Sequence, residues 1–357
     1  MKSIRVFMAM ALGLALSANA DDLAIQSFNG TGQLTFNELT TAQTYRVEWA
    51  ASPAGPWTNT WQSLAAIAAK GSGIVTCSVP MCYRVVATVT NAATPPAAPA
   101  GMVLIPAGTN TGTDPDSGAY SLTVSAFYMD SNLVTKAQWD VVYTWAIAHG
   151  YTFAHAGSGK ATDHPVQTVS WHDCAKWCNA RSEKEGRPVA YRVAGAVYRG
   201  ADDNSVTCSV NVAGYRLPTD VEYHYASRGG LNGKRFPWGD TIDHTRANYY
   251  GYPASSGGYS YDTGYEGFDT RYATGGTPYT SPVGSFPANG YGLNDMAGNV
   301  WEWCTDWYPG YEGLYRVARG GGWDGDAGYC RSADRGTYIP DDASSAFGFR
   351  AALPPGQ

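Results

Sequence analysis

The sequence predicts an α+β domain with little regular secondary structure, preceded by a small all-β unit. Three observations carry this prediction. The 357-residue chain holds 42 glycines and 25 tyrosines but is only 15% charged, which suits an aromatic-cored, loop-rich fold better than a helical bundle. Clear apolar alternation is confined to the N-terminal part of the chain. Helix signals occur three times, and a Gly/Tyr/Trp-rich remainder follows them.

Residues 1–20 read as an export signal. Lys2 and Arg5 make a positive start, Val6 to Leu16 an apolar run, and Ala18, Asn19 and Ala20 a small-residue cleavage site. That run is too short to cross a bilayer, and no later segment reaches the ~18 apolar residues of a span. Cleavage after Ala20 removes Lys2 and Arg5 and takes the formal net charge from −6 to −8. An exported acidic chain belongs in the periplasm or outside the cell, and its charge excludes nucleic acid as an expected partner.

Residues 21–92 are expected to form a small β-sandwich-like accessory domain. Tyr45 to Trp49 and Tyr83 to Val89 alternate as strands do, and Ser52-Pro-Ala-Gly-Pro56 reads as a turn. Cys77 and Cys82 bracket a proline turn, a spacing that permits a local disulfide. Residues 93–101 are a Pro/Ala linker, semi-rigid by composition. The second domain occupies 102–357. Its first helix runs from Thr135 to about His149, with Trp139, Val142, Tyr143 and Ala146 on one face. A second starts at Ser170 with Asp173 three residues on, and a third at Thr219 with Glu222 three residues on, both capping-box patterns. From about Gly229 only short strand-like pieces are expected. The segment Asn289 to Cys304, with its glycines and two tryptophans, reads as a tightly turning loop anchored by aromatic side chains.

All seven cysteines follow the cleavage site, and disulfides are expected in an exported chain. Seven is odd, so at least one thiol is left over. No CxxC pair or zinc-like Cys/His cluster is present.

Eight short motifs occur in order: Met102–Gly108 (MVLIPAG), His164–Trp171 (HPVQTVSW), Gly214–Glu222 (GYRLPTDVE), Arg228–Gly230 (RGG), Phe236–Gly239 (FPWG), Gly298–Trp303 (GNVWEW), Arg319–Trp323 (RGGGW) and Gly348–Arg350 (GFR). Together they resemble the sulfatase-modifying-factor domain of formylglycine-generating enzymes, over roughly residues 102–353. The resemblance implies a C-type-lectin-like α+β fold.

It also implies a structural Ca²⁺ held by Asp295, the Gly298 and Val300 carbonyls, and Glu302. Hard cations take oxygen ligands, and these residues supply carboxylates and turned-in carbonyls. A second family site maps onto Asn248, the Tyr249 carbonyl, Glu266 and the Phe268 carbonyl, with Glu standing where the family has Asp.

The family's chemistry needs two cysteines that hold Cu(I) and oxidise a substrate cysteine with O₂; soft thiolates suit that ion. Here Gly325 falls at the first cysteine and Cys330 at the second, and an alternative alignment leaves neither. The pair is incomplete. The resemblance therefore implies a binding module for a peptide, protein or glycan, with a groove lined by Trp323, Asp324, Asp326, Tyr329 and Arg335. The alternative is an active formylglycine-generating oxidase, or another oxidation using Cys330. In a lectin-like core Cys304 and Cys330 are expected to pair. Cys178 and Cys208 would close the insertion from Arg187 to Gly214 and leave Cys174 over; Cys174 and Cys178 share a helix face, so the spacing leaves open which one pairs. The six histidines show no iron-type spacing. Glu222 is expected to cap its helix, and Arg216 and Arg350 to pair buried carboxylates or carbonyls.

Overall fold

The structure, a computed structural model, describes residues 98–355 in full and the backbones of six strands between residues 2 and 89. Contacts divide the chain into two compact units, Met1–Pro95 and Pro96–Gln357.

In the first unit, β1 (Lys2–Met8), β6 (Cys82–Val89) and β4 (Ala42–Ala50) form one antiparallel sheet in the order β1-β6-β4. A second sheet has the order β2 (Ile25–Phe28), β3 (Gln33–Phe36), β5 (Ile74–Thr76). Cleavage after Ala20 would remove β1.

The second unit is α+β with few helices. β7 (Met102–Ile105), the hairpin β8 (Gly108–Asp114) and β9 (Gly118–Val124), and β10 (Phe127–Asp130) come first. Helix α1 (Lys136–Ala148) begins at Thr135, whose hydroxyl accepts from the Gln138 amide at 3.1 Å, while the Gln138 side chain accepts from the Thr135 amide at 2.9 Å. It buries Trp139, Val142 and Ala146, the apolar face visible in the sequence. Helix α2 (Trp171–Lys184) carries the expected Ser170/Asp173 capping box and is buried almost all round. The two helices lock through Trp139 stacked on Trp177, with Phe349 edge-on to both. Such aromatic pairs add stabilisation beyond burial and replace the missing regular structure.

A small sheet of β11 (Tyr191–Val193), β12 (Ala196–Val197) and β13 (Thr207–Cys208) follows α2. Helix α3 (Asp220–Ser227) has the Thr219/Glu222 capping box. Glu222 also takes a bidentate pair from Arg216, at 2.6 and 2.7 Å, so one carboxylate caps the helix and neutralises a buried guanidinium. The short ladder of β14 (Tyr250–Gly251) and β15 (Gly267–Phe268) precedes a four-stranded sheet in the order β18 (Gly336–Tyr338), β17 (Arg316–Arg319), β16 (Trp301–Trp307), β19 (Phe347–Gly348). β16 and β19 are parallel; the other pairs are antiparallel.

Strand β16 corrects the loop reading of Asn289 to Cys304. The segment turns through left-handed Asp295, Gly298 and Asn299, then straightens at Trp301. At Gly298 a side chain is excluded, since a Cβ would lie 2.4 Å from the Asn248 carbonyl oxygen. The last strand, β20 (Ala352–Leu353), pairs with β10, which pairs with β7 on its other edge. The guanidinium of Arg316 lies between the rings of Trp171 and Trp307, 3.7 and 3.3 Å from their centroids, and burial lowers its pKa to about 10.

Candidate functional site

The glycine-rich segment after β17 runs from Gly320 to Cys330. Gly325 donates its amide to the Gly322 carbonyl at 3.1 Å and accepts from the Tyr250 amide at 2.9 Å, so β14 props this turn from below. A Cβ on Gly325 would meet nothing nearer than the Tyr329 ring at 3.3 Å. Space for a cysteine exists there; the residue does not. Cys330 is wholly buried among Phe236, Ile242, Ala247, Tyr249, Ala297 and Ala327. Burial pushes its thiol pKa well above the ordinary value, which disfavours the thiolate in this apolar cluster.

The expected disulfides are not formed among the described residues: Cys174, Cys178, Cys208, Cys304 and Cys330 are all free thiols. For Cys304 and Cys330 the reason is packing. Cys304 faces a separate apolar cluster with Ile105, Leu122, Phe127 and Val317, so the two thiols look into different parts of the core. Cys174 and Cys178 sit in the main cluster, with Cys208 packed against it, unbonded. The expected Cys77–Cys82 bridge lies outside the described side chains. The domain thus lacks a closely juxtaposed catalytic cysteine pair.

The predicted groove residues separate into distinct surroundings. Trp323 is buried, donates its indole N–H to the Ser345 carbonyl at 3.0 Å, and packs against Phe268 and Tyr279. Tyr329 is 48% exposed and stands edge-on to Trp301, which also meets Tyr338. Asp324 is exposed beside them. Asp326 accepts from the Gly328 amide at 2.9 Å and fixes the turn. Arg335 points elsewhere, toward Asp220 at 3.2 Å.

Around the first calcium-type set, Glu302 is fully buried and both of its oxygens are engaged. Arg350 donates Nε to Oε2 at 2.6 Å and Nη2 to Oε1 at 3.0 Å, and the Tyr223 hydroxyl donates to Oε1 at 2.8 Å. Burial raises the Glu302 carboxyl above its ordinary value, and the bidentate Arg350 pair and the Tyr223 hydroxyl oppose that rise. Arg350 also reaches the Asn294 and Asp295 carbonyls, at 2.8 and 3.3 Å. Asp295 differs. Its Oδ2 accepts from the Gly284 amide at 2.6 Å, but its buried Oδ1 has no partner. Burial raises its pKa to about 6. The buried Asn132 Oδ1, which borders Gly284, is also without a partner. An orphaned carboxylate oxygen fits a hard cation; a carboxylate shared by Arg350 and Tyr223 does so only by giving up a partner.

The second set is brought together by backbone, since β14 and β15 pair Tyr250 with Phe268. Its side chains diverge. Asn248 donates to the Tyr279 carbonyl, the Tyr249 hydroxyl donates to Asp262, and exposed Glu266 accepts from Ser256. Among the described residues no three His, Cys, Asp or Glu side chains converge as a metal-binding group.

A cavity of about 320 Å³ between the β8–β9 hairpin, α3 and β17 was not anticipated from sequence. Both Arg-Gly-Gly motifs send their arginine into its wall: Arg228 pairs with Asp114 at 3.1 Å, and Arg319 donates Nε to Asp220 at 2.6 Å. Arg335 completes the cluster. The repeated motif was the available signal.

No helix among the described residues is long and apolar enough to cross a membrane. Residues 88–354 match the family described as the sulfatase-modifying factor enzyme 1-like domain. The formylglycine-generating enzyme of Mus musculus is 32% identical over 292 residues, 70% of this chain and 74% of its own. A Bos taurus protein named inactive C-alpha-formylglycine-generating enzyme 2 is 33% identical over 216 residues, 57% of each chain. The solved structure of CarF covers 72% of this chain and 98% of its own, at 25% identity and a TM-score of 0.57. With its motifs, its α+β architecture and these relatives taken together, the chain belongs to the sulfatase-modifying factor, or formylglycine-generating-enzyme, domain family.

Proposed function

We propose that this protein is an exported binding module, periplasmic or extracellular, in which a lectin-like family scaffold displays a ligand surface in place of the oxidase site. The observation that carries this reading is the pairing of Gly325 with a sealed Cys330. One thiol position has no sulfur, and the other is buried in an apolar cluster with its proton held on. Near-linear copper coordination needs two thiolates. The same segment offers exposed Tyr329 and Asp324 beside Trp301, backed by Trp323 and the turn at Asp326. Aromatic faces next to a carboxylate suit a peptide, protein or glycan. The N-terminal β unit is an accessory to this module.

A structural Ca²⁺ at Asp295, with the Gly298 and Val300 carbonyls and Glu302, belongs to the same proposal. The orphaned Asp295 oxygen supports it. The ion would supply charge neutralisation and rigidity, not chemistry. The second set at Asn248, Tyr249, Glu266 and Phe268 is a weaker candidate because Glu266 is committed to Ser256.

The test is direct. Purified protein is loaded with Cu(I) and incubated with a sulfatase-type cysteine peptide under O₂. No stoichiometric copper and no peptide aldehyde are expected; aldehyde formation would overturn the proposal. In parallel, glycan and peptide arrays are probed with wild type and Tyr329→Ala, which should lose whatever signal the wild type gives.

A further inference from the structure

We propose that the cavity between the β8–β9 hairpin, α3 and β17 binds a small organic carboxylate, held by Arg335 and the His224 imidazole N–H. Three guanidiniums line the cavity, those of Arg228, Arg319 and Arg335, against two carboxylates, Asp114 and Asp220. Asp114 is matched one to one by Arg228. Asp220 serves both Arg319 and Arg335, so among the lining side chains positive charge exceeds negative by one, with Asp334 acting on Arg319 from outside the lining. Arg335 is 39% exposed and shares its carboxylate with Arg319, and a guanidinium that keeps free donors beside a cavity can take a further counter-ion.

Donor geometry narrows the ligand. His224 is 92% buried (8% exposed), and its Nε2 accepts from Arg228 Nε at 3.0 Å and faces Nη2 at 2.8 Å. Arginine cannot accept, so the ring proton lies on Nδ1 of this cavity-lining histidine. Burial, then the surrounding arginines, holds this imidazole neutral, with a pKa of about 2, so it stays a fixed N–H donor across the physiological range. Arg335 engages Asp220 through Nη1 alone at 3.2 Å, leaving Nε and Nη2 for a second carboxylate. The Tyr120 ring covers Arg228 at 3.8 Å, and Leu122, Val221 and Ala333 give apolar walls. A single carboxylate head on a small apolar body matches both the surplus charge and the wall, and planar guanidinium donors favour it over a tetrahedral oxyanion.

Calorimetry on the full chain at low salt and pH 7 tests this, with benzoate as probe, benzamide as its neutral isostere and inorganic sulfate as the tetrahedral rival. Saturable 1:1 benzoate binding, no benzamide binding and weaker sulfate binding are expected. Arg335→Gln should weaken benzoate by about tenfold or more, the worth of a charged hydrogen-bond pair. Arg192→Gln, at an exposed arginine on β11, should change nothing. The His224 Nδ1–H proton resonance should shift on benzoate addition. Equal affinity for benzoate and benzamide, tighter sulfate, no saturable heat, or an unaltered Arg335→Gln variant would each overturn the assignment.

Discussion

The substitution Asp295→Asn should make the calcium-free protein more stable at neutral pH. Asp295 is 95% buried (5% exposed), and its Oδ1 has no partner. Its carboxyl pKa rises from the ordinary 3.8 to about 6, chiefly through burial, against help from the Gly284 amide and Arg350. A carboxyl raised by the fold binds its proton more tightly in the native state. Its stabilising contribution is therefore complete below about pH 3.8 and is lost as pH rises through about 6. At ~1.4 kcal/mol per tenfold change, that interval is worth about 3 kcal/mol. Asparagine keeps an acceptor for the Gly284 amide, carries no charge, and tolerates the left-handed backbone at this position (φ 53°). Urea unfolding in EDTA should show Asp295→Asn gaining up to about 3 kcal/mol over wild type at pH 7.5 and nothing at pH 4. Added Ca²⁺ should restore wild-type stability at pH 7.5 and have little effect at pH 4, where the proton competes. A variant no more stable than wild type at pH 7.5 would mean that the Asp295 charge is compensated inside the protein, and the cation argument would fall with it.

Three further outcomes are expected. Arg350→Met leaves Glu302 as an uncompensated buried charge and should cost about 3–5 kcal/mol in denaturant unfolding, with Glu302→Leu added on top recovering part of the loss; a purely additive double variant would contradict the pairing. Iodoacetamide mass spectrometry without reductant should leave Cys174, Cys178, Cys304 and Cys330 unlabelled in the native protein and label them, with Cys208, after unfolding; any of the five protected until reduction would refute the free-thiol state. Gly325→Cys should fold normally, because a Cβ there meets only the Tyr329 ring at 3.3 Å. It should still form no peptide aldehyde, because Cys330 remains sealed; a gain of activity would show that the missing sulfur was the sole barrier.

What was legible in the sequence was local. The Ser170/Asp173 and Thr219/Glu222 boxes bond as their spacing implies, because a cap involves residues three apart. The face of α1 follows from helical periodicity for the same reason. The motifs gave the family but not the pairings. Arg350 meets Glu302 across 48 residues and Asp220 meets Arg335 across 115, and no local pattern encodes such distances. Cysteine arithmetic failed because it counts sulfurs without knowing which side of β16 or of the glycine turn each one faces. Strand β16 was missed because its side chains are buried on both faces from Trp301 to Cys304, so alternation vanishes.

The closing strands of the domain carry a consequence for how the molecule is made. β20 and β7 flank the same strand, β19 lies along the start of β16, and Arg350 sits between them on Glu302. The residues that shut the core follow the helices and the Gly/Trp-rich stretch in chain order, so they leave the ribosome after them. A domain sealed by its closing strands completes its core only once they have emerged, since its long-range pairings depend on them. Until then the growing chain stays open, a state in which it can be threaded through a narrow channel.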